Sequence, residues 1–280
     1  MLVNLKTLLT KAYIDKRAVG SFNVYSYETI HGVCKAIKIT EKPAIISFGA
    51  SYMKNMSLEC VKSIVDEAVK DMPEDTVLHL DHCRDLKIIK AAIDAGFTSV
   101  MYDGSALDFE ENIKNTKDVV DMAHAENVSV EAELGKVALG DYSNETDIDS
   151  KQAFTNPSSA AEFAERTNID ALAVSIGTVH GMYKGEPNIR IDILKEINAA
   201  TDIPLVLHGG SGTPKKTLID CIKNGICKIN VNTEISRYTV RKMYKAIEDE
   251  PNIHLSKLAL LETEFVSESV SEYIRLFYRN

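Results

Sequence analysis

The chain has 280 residues, 45% of them hydrophobic and 26% charged, with a formal net charge of -9 at pH 7. That length and composition suit a single globular domain of the large α/β-barrel kind. The acidic balance, without any dense Lys/Arg block, argues against a nucleic-acid partner, and no apolar run approaches the roughly 18 residues that a membrane span requires.

The opening segment, MLVNLKTLLTKAYIDK, reads as an amphipathic helix rather than a signal peptide, because it has an acidic residue and no small-residue cleavage site. A cytoplasmic protein is expected. Apolar, β-branched runs of strand length then alternate with amphipathic helical stretches. They fall at Val19–Val24, Ala44–Phe48, Val77–Asp81, Ser99–Tyr102, Val128–Leu134, Ala171–Ser175, Leu205–His208 and Lys228–Val231. Near-continuous hydrophobicity in stretches such as AII and LVL predicts parallel strands buried on both faces beneath a layer of helices. Eight such units predict one (β/α)8 TIM barrel over residues 1–280.

Helix signals lie where this scheme needs them: Asp108 before FEENIKNTKDVVDMAHA, Asn156 with Pro157 before SSAAEFAERT, and Gly225 as the C-cap of TPKKTLIDCIKNG. The polar stretch GDYSNETDIDSKQ is longer than a usual strand-to-helix connection and is expected to form a mobile loop over the barrel mouth. Residues from Ser256 onward read as helix, packed on the barrel exterior or on a second subunit. Five cysteines (Cys34, Cys60, Cys83, Cys221, Cys227) lack CxxC spacing. Their odd number fits reduced thiols.

In such a barrel, residues at the C-terminal strand ends meet at the mouth. His82 in LHLDHC, His180 in GTVHGMY and His208 in PLVLHGGSG each end or follow an apolar run. Three imidazoles with an open fourth position form a catalytic zinc arrangement; the alternative is three unrelated residues satisfied locally. Asp81 and His82 are neighbours, so the strand must break there for both to reach the mouth. Asp81 then fits either a proton-transfer role or the orienting of a histidine. His79 sits deeper and reads as structural. The turn at Gly209, Gly210 and Ser211 admits a phosphate close to the backbone. Asn230, Asn232 and Thr233 at the end of the eighth strand add donors from one strand face.

These segments together resemble the class II, metal-dependent ketose-bisphosphate aldolases. The resemblance runs in order through GSFNVYSYET, LHLDHC, AGFTSVMYDGS, VSVEAELG, NIDALAVSIGTVHGMYKGEP, IPLVLHGGSG and KINVNTEI. It implies one Zn2+ on His82, His180 and His208, and Asp81 as catalytic acid and base. It also implies triose-phosphate contacts at Gly181, Gly209, Gly210, Ser211, Asn230, Asn232 and Thr233. Backbone near Gly181 and Gly209 holds a monovalent cation, Na+ or K+, in some members. Glu131 and Glu133 match acidic residues near the metal; Glu133 is carried over as a ligand of a displaced metal, with a buried structural carboxylate as the alternative. The implied partner is a small phosphorylated sugar, cleaved to dihydroxyacetone phosphate and an aldehyde, in a homodimer or homotetramer.

Three departures qualify the match. The glycine pair that usually follows ELG is here Ala138 and Leu139, and Asp141 occupies about the place of the loop acid, with Glu145 as a substitute. Cys83 replaces a usual glycine; it is either a thiolate facing the metal or a small buried thiol. Gly49 stands where many members have a Ser or Thr that contacts substrate. A different phosphorylated ketose or deoxy-sugar acid, or a weakly active sugar-phosphate binder, are the competing expectations.

Overall fold

The computed structural model describes residues 1–143 and 153–278. Strands β1 (Val19–Asn23), β2 (Ala44–Gly49), β3 (Thr76–Cys83), β4 (Ser99–Tyr102) and β5 (Ser129–Leu134) run in order round a wall. β6 (Ala138–Leu139) leaves the wall, β7 (Ala171–Val174) rejoins it, and β8 (Val179–His180) pairs outside it with β6. β9 (Leu205–Leu207) and β10 (Ile226–Val231) complete the circuit, so eight parallel strands close in the order β1-β10-β9-β7-β5-β4-β3-β2. The helices are α1 (Leu5–Ile14), α2 (Tyr27–Thr40), α3 (Leu58–Val69), α4 (Leu86–Asp94), α5 (Phe109–His124), α6 (Pro157–Thr167), α7 (Ile191–Ala200), α8 (Lys215–Lys223), α9 (Thr233–Asp249) and α10 (Leu255–Phe277). This is a (β/α)8 TIM barrel.

Helix starts follow local chemistry. Asp108 accepts from Glu111 N and Asn156 from Ser159 N, so each side chain satisfies an amide that the first turn would leave unpaired. Asn224 is the C-cap of α8, one residue earlier than the sequence suggests, and Gly225 follows it at φ +110. α10 lies on α2 and α9 outside the barrel.

Two apolar layers hold the wall. Outward-facing residues such as Leu78, Leu80, Val130, Ala132, Leu172, Val174, Leu207 and Ile229 pack under the helices. At the bottom, α1 plugs the barrel: Leu5, Leu8, Leu9 and Ala12 bury against Val19, Ile45, Val77, Ala173 and Val206. The expectation that the strands are apolar on both faces holds only for this lower part. Higher up, the alternate positions are Ser21, Ser47, His79, Ser99, Glu131 and Lys228, all buried and polar. Each such group demands a partner inside the barrel.

Most of the expected loop, residues 144–152, lies outside the described residues. Its first part docks on the turn after β7: Gly140 N donates to His180 O, and Asp141 and Met182 exchange backbone hydrogen bonds. That turn is built on Gly177 at φ +115, where a Cβ would lie 2.1 Å from the Asn188 carbonyl oxygen. Gly177→Ala should therefore cost about 2–4 kcal/mol through strain and overpacking. A fall of roughly 5–10 °C in the thermal midpoint is expected; an unchanged melting curve would show that the turn relaxes freely.

Candidate active site

The mouth begins with an irregularity in β3. His82 adopts φ +44, a left-handed conformation uncommon outside glycine, and pairing with β4 shifts register between Leu80 and Cys83. The break turns both Asp81 and His82 toward the mouth, where regular alternation would have sent one of them outward. Cys83 is buried, and its thiol reaches the Asp85 carbonyl at 3.5 Å. Burial pushes that thiol up to about 11, so Cys83 is a neutral side chain apart from the histidines.

His82, His180 and His208 converge, each offering one ring nitrogen within 4.8 Å of the others. His208 Nδ1 lies 2.8 Å from His82 Nε2. His180 Nε2 is shielded from solvent and has no hydrogen-bond partner among the described residues. Burial, reinforced by the neighbouring rings, lowers the pKa of His180 and His208, which keeps both in the neutral, ligating form. An inward cluster of neutral imidazoles with an unsatisfied nitrogen fits a divalent metal bound by nitrogen donors.

Carboxylates surround the trio. Glu131 Oε1 pairs with His208 Nε2 at 2.9 Å, which fixes that ring. Glu133 Oε2 stands 3.9 Å from His82 Nδ1 and 3.8 Å from His208 Nδ1, and Asp103 Oδ2 is 3.6 Å from His82 Nδ1. His79 remains deeper, with Nδ1 2.9 Å from Ser99 Oγ. Asp81 is 2% exposed; its carboxylate accepts from Asn23 Nδ2 at 2.9 Å and Asn230 Nδ2 at 3.1 Å. Burial alone would push the Asp81 pKa up, but His82, Lys228 and His208 outweigh it and hold the group ionised.

Two cavities flank the trio and share His82 and His180. The smaller, about 40 Å³, is lined by Asn23, Asp81, Ser143, Gly181, Gly209, Ser211, Asn230, Asn232 and Thr233. Gly209, at φ +72, brings its backbone so close to Val179 that a Cβ would lie 2.2 Å from that carbonyl oxygen. Ser211 Oγ accepts from Asn232 N and Glu234 N, tying the glycine-rich turn to the start of α9. The N-terminal end of α9 thus faces an opening suited to an anion. Gly210 differs from expectation: its amide donates to Asn230 O, and it lines neither cavity. The larger cavity, about 310 Å³, opens beside Gly49, Ser51, Cys83, Arg84, Ser105 and Lys136.

Asp141 lines neither cavity. Its side chain is about half exposed, with Oδ1 3.6 Å from Lys184 Nζ. Glu145 lies outside the described residues. Four residues at or beside the site are not singled out by the sequence: Asn23, Ser143, Lys228 and Tyr52, whose hydroxyl accepts from Asn232 Nδ2 at 2.9 Å. Of these, Asn23 had a readable signal, since it ends the first barrel strand just as Asp81 and His82 end the third.

The family model "Fructose-bisphosphate aldolase class-II" matches residues 3–280. The chain belongs to this family. It is a class II aldolase, a carbon–carbon lyase of a family whose substrates are phosphorylated sugars. It is 40% identical over 274 residues to a sulfofructosephosphate aldolase of Alkalicoccus urumqiensis, covering 97% of this chain and 95% of that one. The crystal structure of the YdjI aldolase of Escherichia coli K12 superposes with a TM-score of 0.88 at 35% identity, covering 99% and 98% of the two chains. A putative fructose-1,6-bisphosphate aldolase from Coccidioides immitis also gives a TM-score of 0.88, at 28% identity over 98% of this chain and 96% of that one. No helix among the described residues is long and apolar enough to cross a membrane.

Asn23→Ala would leave Asp81 Oδ2 without its amide donor. We expect a loss of about 1–2 kcal/mol. In aldol cleavage this is roughly a 5–30-fold fall in kcat, with bound metal unchanged by atomic absorption. An unaltered kcat would show that Asn230 alone orients the carboxylate.

Proposed function

We propose that the chain is a zinc-dependent aldolase that reversibly cleaves a ketose 1,6-bisphosphate of the fructose or tagatose type to dihydroxyacetone phosphate and glyceraldehyde 3-phosphate. The observation that carries this reading is one arrangement: three clustered imidazoles, a buried carboxylate held by two asparagines, and a glycine-rich turn at a helix start, with His82, His180, Asp81, Gly209 and Ser211 lining one opening. His82, His180 and His208 would hold the zinc, with Glu133 as the adjacent carboxylate available to a displaced ion. Bound there, zinc supplies Lewis-acid polarisation of the ketose carbonyl.

The remaining work falls to protein groups. Gly181, Gly209, Ser211, Asn232 and Thr233 line the narrow cavity and are assigned to the triose phosphate; backbone near Gly181 and Gly209 is the place for a monovalent cation. Asp81 takes the proton from the hydroxyl on the carbon that becomes the aldehyde, within reach of its Asn-held carboxylate. The carbon–carbon bond breaks with its electron pair left on the triose half, and the aldehyde departs toward the larger cavity. A proton delivered to the triose carbon ends the cycle. We assign it to Asp141, which must then turn away from Lys184. Asp141→Asn should slow exchange of the triose C–H proton with solvent by at least tenfold; unchanged exchange would move the role to another acid.

A second reading concerns the aldehyde half. Gly49 leaves the larger cavity without a hydroxyl at that position, and the sulfofructosephosphate aldolase at 40% identity supports a ketose 1-phosphate with a different terminal group. One experiment addresses both readings. The purified protein, stripped with EDTA and then reloaded with zinc, is assayed on fructose and tagatose bisphosphates and on a 6-sulfo ketose 1-phosphate. Loss and recovery of cleavage on a bisphosphate is the expected result, recovery only on the sulfonate favours the second reading, and activity that survives metal removal contradicts both.

The apolar stripe Val240, Tyr244 and Ile247 on α9, exposed by 61%, 65% and 42%, supports assembly with further copies of the chain as a homodimer or homotetramer.

A further inference from the structure

Among the described residues, one lysine or arginine is buried. Lys228 lies in β10 and is wholly inaccessible to solvent. A lysine almost never occupies such a place unless a partner compensates its charge. Its Nζ stands 2.7 Å from Glu131 Oε2, and Glu131 is equally inaccessible. The other oxygen of Glu131 pairs with His208 Nε2 at 2.9 Å. The remaining nitrogen of that ring, Nδ1, lies 2.8 Å from His82 Nε2 at the centre of the trio. A continuous line of charge and hydrogen bonding thus runs from β10 through β5 and β9 to the metal-binding cluster.

We propose that Lys228 is a positioning residue for the metal centre. Its ammonium pins the Glu131 carboxylate in the orientation that takes the Nε2–H of His208, and so leaves the Nδ1 lone pair of that histidine aimed at the trio. The inference rests on the metal reading given under Proposed function.

Two other roles for a buried lysine fit less well. An amine that attacks a ketose carbonyl must reach the substrate, but Lys228 lines neither cavity and is opposed by Glu131. A filler of barrel volume would need no charge, and an apolar side chain of similar length would serve. Neither oxygen of Glu131 is redundant: one meets the cation and the other meets the histidine. His79, whose Nε2 is 3.7 Å from Glu131 Oε2, closes the other side of the same carboxylate.

The test measures zinc affinity by competition with a chromophoric chelator, and the visible absorption of the cobalt(II)-substituted protein, in the native chain, Lys228→Met and Lys228→Met/Glu131→Gln. The double variant removes both charges together, so it folds without an unpaired buried ion. Lys228→Met should bind zinc about 10–100-fold more weakly. The double variant should remain at least about fivefold weaker than native, because a neutral amide with no cation to fix its orientation is a poorer acceptor for His208. Both should shift the cobalt bands, which report ligand geometry rather than fold.

A folded variant of either kind that binds zinc within twofold of native, with an unchanged cobalt spectrum, overturns the proposal. In the native metal-free protein, nitrogen chemical shifts of labelled histidine should place the His208 proton on Nε2; a proton on Nδ1 overturns it without recourse to any variant. These readouts are separate from turnover. A chain that binds zinc but cleaves no ketose phosphate refutes the proposed reaction and leaves this inference standing, whereas a chain that binds no zinc overturns both.

Discussion

The backbone at His82 is the constraint on which the barrel mouth depends. A regular strand would place Asp81 inside the barrel and His82 outside it, beneath the helices. At φ +44, with the register to β4 displaced, the chain presents both in the same opening. A non-glycine residue in this region carries a local cost of order 1–3 kcal/mol, which the surrounding structure must offset. Here the surroundings are the closed wall of eight strands and the packing of His82 among His180, His208, Asp103 and Glu133. Proton transfer and metal binding are adjacent in space because they are adjacent in sequence across a broken strand.

The second organising feature is a polar interior. Most of the apolar burial that stabilises the fold lies outside the wall, under the helices, and at the bottom, where α1 seals the barrel. The upper interior is given over to groups that must satisfy one another: Glu131 with Lys228 and His208, Asp81 with Asn23 and Asn230, His79 with Ser99. Burial pushes the Glu131 pKa up, yet Lys228, followed by His208, pulls it down to about 2. Such networks rigidify when complete and are costly when broken. The result is a set of side chains with few alternative orientations, as a catalytic site requires.

Much of this was legible in the residues. The strand positions, the capping of α5 and α6, and the convergence of His82, His180 and His208 follow from apolar runs that end in a polar residue. The adjacency of Asp81 and His82 already required a break in β3. The polar upper interior is less legible: the alternation of Ser129, Glu131 and Glu133 in SVEAEL reads equally well as a strand with one face in water, and only closure of the barrel turns that face inward. Lys228 resembles a surface lysine by type, and only the barrel brings it to Glu131. Asn23 lies within GSFNVYSYET, but a single amide at a strand end does not by itself reveal that it faces Asp81 across the barrel. The position of Asp141 matches a loop acid only through a loop whose glycine pair is missing here, and its backbone instead pairs with Met182 beside Lys184. The short β6–β8 pairing that causes this is two residues wide, too brief to leave a periodic signal.

Everything proposed for the site requires that imidazoles from three separate strand ends share one zinc ion. X-ray absorption at the zinc edge of the loaded protein tests it most directly. The expected spectrum has a first shell of nitrogen and oxygen scatterers at about 2.0–2.1 Å, with the outer-shell pattern of three imidazole rings. A sulfur scatterer at about 2.3 Å, which would put Cys83 on the metal, or an outer shell with fewer than three rings, would contradict it.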